Sequence, residues 1–129
     1  MIKLLTVDDE KGMTNLLYDF FHNRGFYISV AHSGEEALKI VNSDRPDIIF
    51  LDINMNGMNG IEVLERVKRI DKNIKVIMIT VHSEKEMIAK AKELGADEYI
   101  TKPFRVDYLE EVVIKKVQEL MLLEPLQLR

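Results

Sequence analysis

The residues best equipped for chemistry are Asp8-Asp9, Asp52 and Thr80, each at or just past the end of a short apolar run, and Lys102, just past a fifth and more polar run. Folding does not require polar groups there. If the parent runs lie side by side as strands, the carboxylates converge, and two of them about 4 Å apart repel by about 4 kcal/mol at an effective dielectric of 20. Several such pairs would rival the roughly 5–15 kcal/mol that holds a domain together. A single Lys is too little to neutralise them. The chain has no Cys, and His22, His32 and His82 stand at no ligand spacing, which disfavours zinc. An all-oxygen acidic set suits a hard divalent cation, Mg²⁺ or Mn²⁺.

A cation held by carboxylates with water-filled positions is a place to receive phosphate oxygens. Asp52 is then a candidate nucleophile toward phosphorus, Lys102 a partner for phosphoryl oxygens, and Thr80 a hydroxyl donor to a third oxygen. No group is left over to act as a base on an external substrate, which favours a protein that modifies itself. Each residue also has a plainer use. Asp8-Asp9 would serve as a helix cap, Asp52 as the opening of a turn rich in Asn and Gly, and Thr80 as a strand former. Their joint placement tips the balance toward the cation site.

The elements that must position these groups are legible from period. Short β-branched runs alternate with amphipathic segments five times, the pattern of an α/β protein with a five-stranded parallel sheet and helices on both faces. Strands are predicted over Ile2–Val7, Phe26–Ala31, Asp47–Asp52, Ile74–Thr80 and Asp97–Thr101. Met13, Leu16, Leu17, Phe20 and Phe21 recur at helical spacing in the first connection. Ser33-x-x-Glu36 and Ser83-x-x-Glu86 read as capping boxes opening the second and fourth helices, and Gly95 as a left-handed closure of the fourth. A last helix is predicted over Arg105–Leu123, with Val106, Leu109, Val113, Val117 and Leu120 inward, ended by Pro125. Ile48–Leu51 and Val76–Ile79 are apolar throughout and belong to central strands, whereas Phe26–Ala31 and Asp97–Thr101 belong at or near the edges. In such doubly wound sheets ligands collect beyond the strand C-termini, where the strand order reverses.

The 129 residues suit one compact domain, expected over 1–123 with 124–129 as a tail or linker stub. A composition of 47% hydrophobic and 31% charged residues is globular, and the absence of Cys suits a reducing compartment, so a cytoplasmic location is expected. The longest apolar runs are far short of the roughly 20 residues that cross a bilayer, so no membrane partner is expected. With 18 basic against 22 acidic residues, the chain lacks the basic footprint of nucleic-acid binding. Gly57-Met58-Asn59-Gly60 has the spacing of a nucleic-acid clamp but no basic surroundings, and reads as a turn before the third helix.

Taken together, Val7-Asp8-Asp9-Glu10, Phe50-Leu51-Asp52-Ile53-Asn54-Met55, Ile79-Thr80 and Gly95-Ala96-Asp97-Glu98-Tyr99-Ile100-Thr101-Lys102-Pro103-Phe104 resemble, in order and spacing, the receiver domain of two-component response regulators. The likeness covers about residues 2 to 122. It implies a flavodoxin-like sheet of order 2-1-3-4-5 with five helices. It also implies Asp52 as phosphoacceptor, and Asp8, Asp9, Asp52 and the backbone carbonyl of Asn54 as Mg²⁺ ligands. Thr80 and Tyr99 would form the switch, Lys102 would contact the phosphoryl group, and the Lys102-Pro103 bond would be cis. The implied partners are a sensor histidine kinase or a histidine phosphotransfer protein, with a phosphorylation-dependent homodimer possible.

Two departures from the family pattern stand out. Asn56 occupies a position where Pro is usual, which suggests a looser loop after Asp52. Val81 is bulkier than the small residue usual after the switch Thr, and is expected to slow the entry of small phosphodonors. Asn54 and His82 fall at the family positions that tune phosphate lifetime. Three other readings fit less well. An Asp-nucleophile phosphatase needs a second Asp where Asn54 stands, and a flavin-binding protein would not place Asp8-Asp9 in its phosphate loop. A degenerate receiver acting only as an interaction module would not keep the whole set.

Overall fold

The computed structural model describes residues 1–81 and 85–122. In chain order its elements are β1 (Lys3–Val7), α1 (Lys11–His22), β2 (Tyr27–Ala31), α2 (Gly34–Ser43), β3 (Ile48–Asp52), α3 (Gly60–Ile70), β4 (Lys75–Val81), α4 (Lys85–Glu93), β5 (Glu98–Lys102) and α5, residues 106–122. The last helix is continuous but not uniform: a first turn, Val106–Tyr108, leads into a π-helical stretch, Leu109–Val113, and then into regular helix, Ile114–Leu122.

All strands are parallel, in the order β2-β1-β3-β4-β5, so the order reverses between β1 and β3 as the sequence implied. β3 sits at the centre and every one of its residues is buried. Covering it on both faces is what an apolar strand such as Ile-Ile-Phe-Leu requires. One face packs Phe50 and Ile77 against Leu17 and Phe21 of α1 and Leu109, Val113 and Val117 of α5. The other packs Leu51 and Met78 against Ala37 and Val41 of α2, Val63, Leu64 and Val67 of α3, and Ala91 of α4.

Several local expectations are refined. Each strand begins one residue later than predicted, and β4 and β5 run one residue farther, because Val81 pairs in register with Lys102. Gly95 has φ +102°, and the bonds Gly95 N–H to Lys92 O and Ala96 N–H to Ala91 O close α4 as a Schellman motif. The α2 cap is only half a capping box. Ser33 Oγ accepts from Glu36 N–H at 3.1 Å, but the Glu36 carboxylate accepts from His32 N–H at 2.6 Å, one residue beyond the cap. Val106, expected inward, is 46% exposed, because the first turn of α5 overhangs α1 beside Leu16 before the helix reaches the sheet. Ser83 of the second proposed cap, His82, and residues 123–129, which include the proposed tail, lie outside the described residues.

Candidate functional site

Parallel pairing of β1 with β3 sets Val7 against Leu51, so Asp8 leaves β1 at the level where Asp52 ends β3. Asp8 is fully buried and Asp52 is 4% exposed. Asp9, one residue on, is partly buried. Carboxylate oxygens of Asp8, Asp9 and Asp52 lie within 4.8 Å of one another. Lys102, the last residue of β5, reaches across β4's end into this group. Its Nζ is 3.0 Å from Asp8 Oδ2, 3.3 Å from Glu10 Oε1 and 3.4 Å from Asp52 Oδ1. The Lys102-Pro103 peptide is cis.

Asp8 and Asp9 take hydrogen bonds from the main chain, and Glu10 takes one from Lys102. Asp8 Oδ1 accepts from Glu10 N–H at 2.9 Å, and Asp9 Oδ2 accepts from Asn56 N–H at 3.0 Å. Asp8 Oδ2 is buried with no hydrogen bond aligned on it; the Lys102 ammonium beside it makes an ion pair only. Burial pushes the Asp52 carboxyl up to about 7, the Asp8 charge adds to that, and Lys102 and the Asn54 backbone N–H only partly oppose it. Burial also works against the Lys102 ammonium, but the contacts with Asp8, Asp52 and Glu10 outweigh it and leave the group above its usual value.

Three hard oxygen donors on one side of a crevice, one of them buried without a hydrogen bond, fit a divalent cation. The one ammonium present is shared among three carboxylates.

The remaining predicted residues are placed as follows. Thr80 is buried at the end of β4, with its hydroxyl donating to Val81 O at 3.2 Å. Val81 is 36% exposed. Asn54 is exposed in the loop after β3, with its N–H turned to Asp52. Tyr99 is not part of the carboxylate group. It is 38% exposed in β5 and lines a cavity with Met78, Ile88, Ala91 and Lys92, the Lys92 ammonium 5.2 Å from its ring centroid.

Two participants carry no assigned role in the sequence reading. Glu10 could have been found from its place beside Asp8-Asp9. The Asn56 amide could not, since a backbone donor leaves no mark on residue type. Where Asn56 suggested a looser loop, the loop has a tether that proline could not supply, because proline lacks the N–H.

Comparison with known proteins adds the following. Residues 4–114 match the family described as the response regulator receiver domain. Sporulation initiation phosphotransferase F of Bacillus subtilis (strain 168) is 44% identical over 113 residues, covering 88% of this chain and 91% of that one. Alkaline phosphatase synthesis transcriptional regulatory protein PhoP of the same strain is 37% identical over 102 residues, covering 79% of this chain but 42% of its own length. Among solved structures, the chemotaxis protein CheY4 of Vibrio cholerae superposes with a TM-score of 0.84 at 28% identity, covering 93% of this chain and 98% of that one. NtrX of Brucella abortus gives 0.86 at 30% identity, covering 95% of this chain and 28% of that one. The chain thus spans nearly all of some relatives and less than half of others.

Proposed function

Because this chain belongs to the response regulator receiver family, whose members carry phosphorylation-dependent signals, we propose that it is a switch with Asp52 as phosphoacceptor. The observation that carries this reading is the convergence of Asp8, Asp9 and Asp52 within 4.8 Å with Lys102 bridging Asp8 and Asp52. The donor is a phosphohistidine of a sensor histidine kinase or a histidine phosphotransfer protein. An Asp52 carboxylate oxygen forms a bond to phosphorus, the P–N bond breaks, and its electron pair stays on the imidazole nitrogen. With acetyl phosphate the P–O bond breaks and acetate leaves. Asp8, Asp9, Asp52 and the Asn54 backbone carbonyl would hold Mg²⁺ or Mn²⁺, which supplies positive charge to the phosphoryl oxygens.

Lys102, already 3.4 Å from Asp52, needs only a small movement to pair with a phosphoryl oxygen. Thr80 must exchange its bond to Val81 O for one to the phosphoryl group, and the space it vacates is open to Tyr99. The surface that changes is that of α4, β5 and α5, where a phosphorylation-dependent homodimer or an output partner would read it. Moving such an equilibrium from 1:99 to 99:1 takes about 5.5 kcal/mol. A few charge-assisted hydrogen bonds at about 1.5–3 kcal/mol each are enough. Asn54 and Val81 set access and lifetime, together with His82 by its place in the sequence two residues after Thr80. Identity of 44% over 113 residues to a named phosphotransferase favours a role in which the phosphoryl group is passed on.

The test is labelling by radioactive acetyl phosphate with Mg²⁺. Wild type is expected to incorporate label, chelation to stop it, and Asp52→Asn to remove it while the circular dichroism spectrum stays native. Full labelling of Asp52→Asn would overturn the assignment. Val81→Ala is expected to label several-fold faster, and an unchanged rate would remove Val81 as a barrier to entry.

A further inference from the structure

We propose that the Asn56 backbone amide is a positioning group for the acidic crevice, holding Asp9 Oδ2 and so tying the loop between β3 and α3 to occupancy of the cation site. The proposal rests on the reading of Asp8, Asp9 and Asp52 as cation ligands. Asp8 and Asp52 are buried and braced on several sides, by Lys102 and by main-chain N–H groups. Asp9 is only partly buried, so packing alone does not fix its rotamer. The Asn56 N–H does, from 47 residues along the chain.

A carboxylate has about four lone-pair sites on two oxygens, so it can accept this amide and still offer a ligand atom. Donors that orient a metal ligand typically contribute 10–100-fold to affinity. By linkage, whatever the amide adds to cation affinity, a bound cation adds to the amide bond. The loop that begins at the phosphoacceptor is then firmer in the loaded state than in the empty one.

The donor belongs to the main chain, so it is indifferent to the exposed Asn56 side chain. Only proline removes it. Asn56 has no positive φ, and proline is usual at this position in the family. Asn56→Pro is therefore compatible with the fold and deletes little beyond the N–H, while Asn56→Ala keeps the N–H and serves as its control.

Calorimetric titration with Mg²⁺ is expected to give Asn56→Ala the wild-type dissociation constant and Asn56→Pro one about tenfold weaker. In labelling by acetyl phosphate, Asn56→Pro should need correspondingly more Mg²⁺ for half-maximal rate and reach the wild-type rate at saturation. Equal affinity of Asn56→Pro and wild type would overturn the proposal while leaving the cation site intact. No binding by wild type would remove the cation reading and this proposal with it. Amide hydrogen exchange on the wild type is independent of how the variants fold. The Asn56 amide should be protected without metal, more protected with Mg²⁺, and released in metal-free Asp9→Ala. Exchange at the random-coil rate in the wild type would overturn the tether.

Discussion

An aspartate of ordinary pKa would stay ionised throughout the neutral range, but Asp52 is held near 7 by burial and by the Asp8 charge. Its folded-state pKa lies above the unfolded value of about 3.9, so the native state binds the extra proton. The stability tied to it is therefore full at low pH and lost as pH rises from about 4 to 7, with no further loss above. Without divalent ions, Asp52→Asn is expected to remove that slope and to be more stable than wild type at pH 8. Since the crevice is open to water, the gain is on the order of 2 kcal/mol, less than the full shift converts to. Urea unfolding at pH 5, 6, 7 and 8 checks it, and a wild type as stable at pH 8 as at pH 5 would contradict it. Asp8, Asp9 and Asp52 were legible in the sequence because each is a polar group at the end of an apolar run, where packing gives no reason for it, and Lys102, past the more polar Asp97–Thr101, was legible from its order with them. Glu10 could be found from its place beside Asp8-Asp9, whereas the Asn56 amide depends on loop geometry that residue type does not encode.

At the scale of elements, α3 approaches the end of β3 so closely that a Cβ on Gly60 would collide with Asp52 O and lie 2.8 Å from Ile53 Cα. Both are backbone atoms and cannot move aside singly. Gly60→Ala is expected to cost about 3 kcal/mol in urea unfolding. Gly12 of α1 has nothing within 4 Å of a built Cβ, so Gly12→Ala should be neutral or stabilise by about 0.5 kcal/mol. Lys68 of α3 ties its helix to β4 and β5. Its Nζ donates to Ile74 O at 2.6 Å and to Asp97 Oδ2 at 2.9 Å, and that oxygen also accepts from Val76 N–H. Lys68→Met should cost about 1 kcal/mol by removing these two bonds, since the exposed Asp97 keeps its bond from Val76 N–H. Strand and helix identities were readable because period 2 and period 3.6 differ strongly over these lengths. The π stretch in α5 was not, because Leu109, Val113 and Val117 keep a four-residue spacing that regular helix also allows.

For the whole molecule, the sheet separates two duties. α1 and α5 cover one face, α2 to α4 the other, and the crevice opens where the strand order reverses. A cation bound there stabilises only the folded chain, by about 2.7 kcal/mol at a concentration one hundred times its dissociation constant. Because it needs Asp52 ionised, the rise in melting temperature on adding Mg²⁺ should be larger at pH 8 than at pH 6. An equal rise at both would detach the cation from Asp52. The crowding of four carboxylates, those of Asp8, Asp9, Glu10 and Asp52, around one ammonium also governs encounters. An anionic phosphodonor diffusing toward this mouth meets its own sign of charge, so added inert salt should speed its arrival where an attractive field would have been weakened. Ionic strength thereby tells a free small donor apart from a protein donor, whose own surface can present the opposite sign and whose arrival salt would slow.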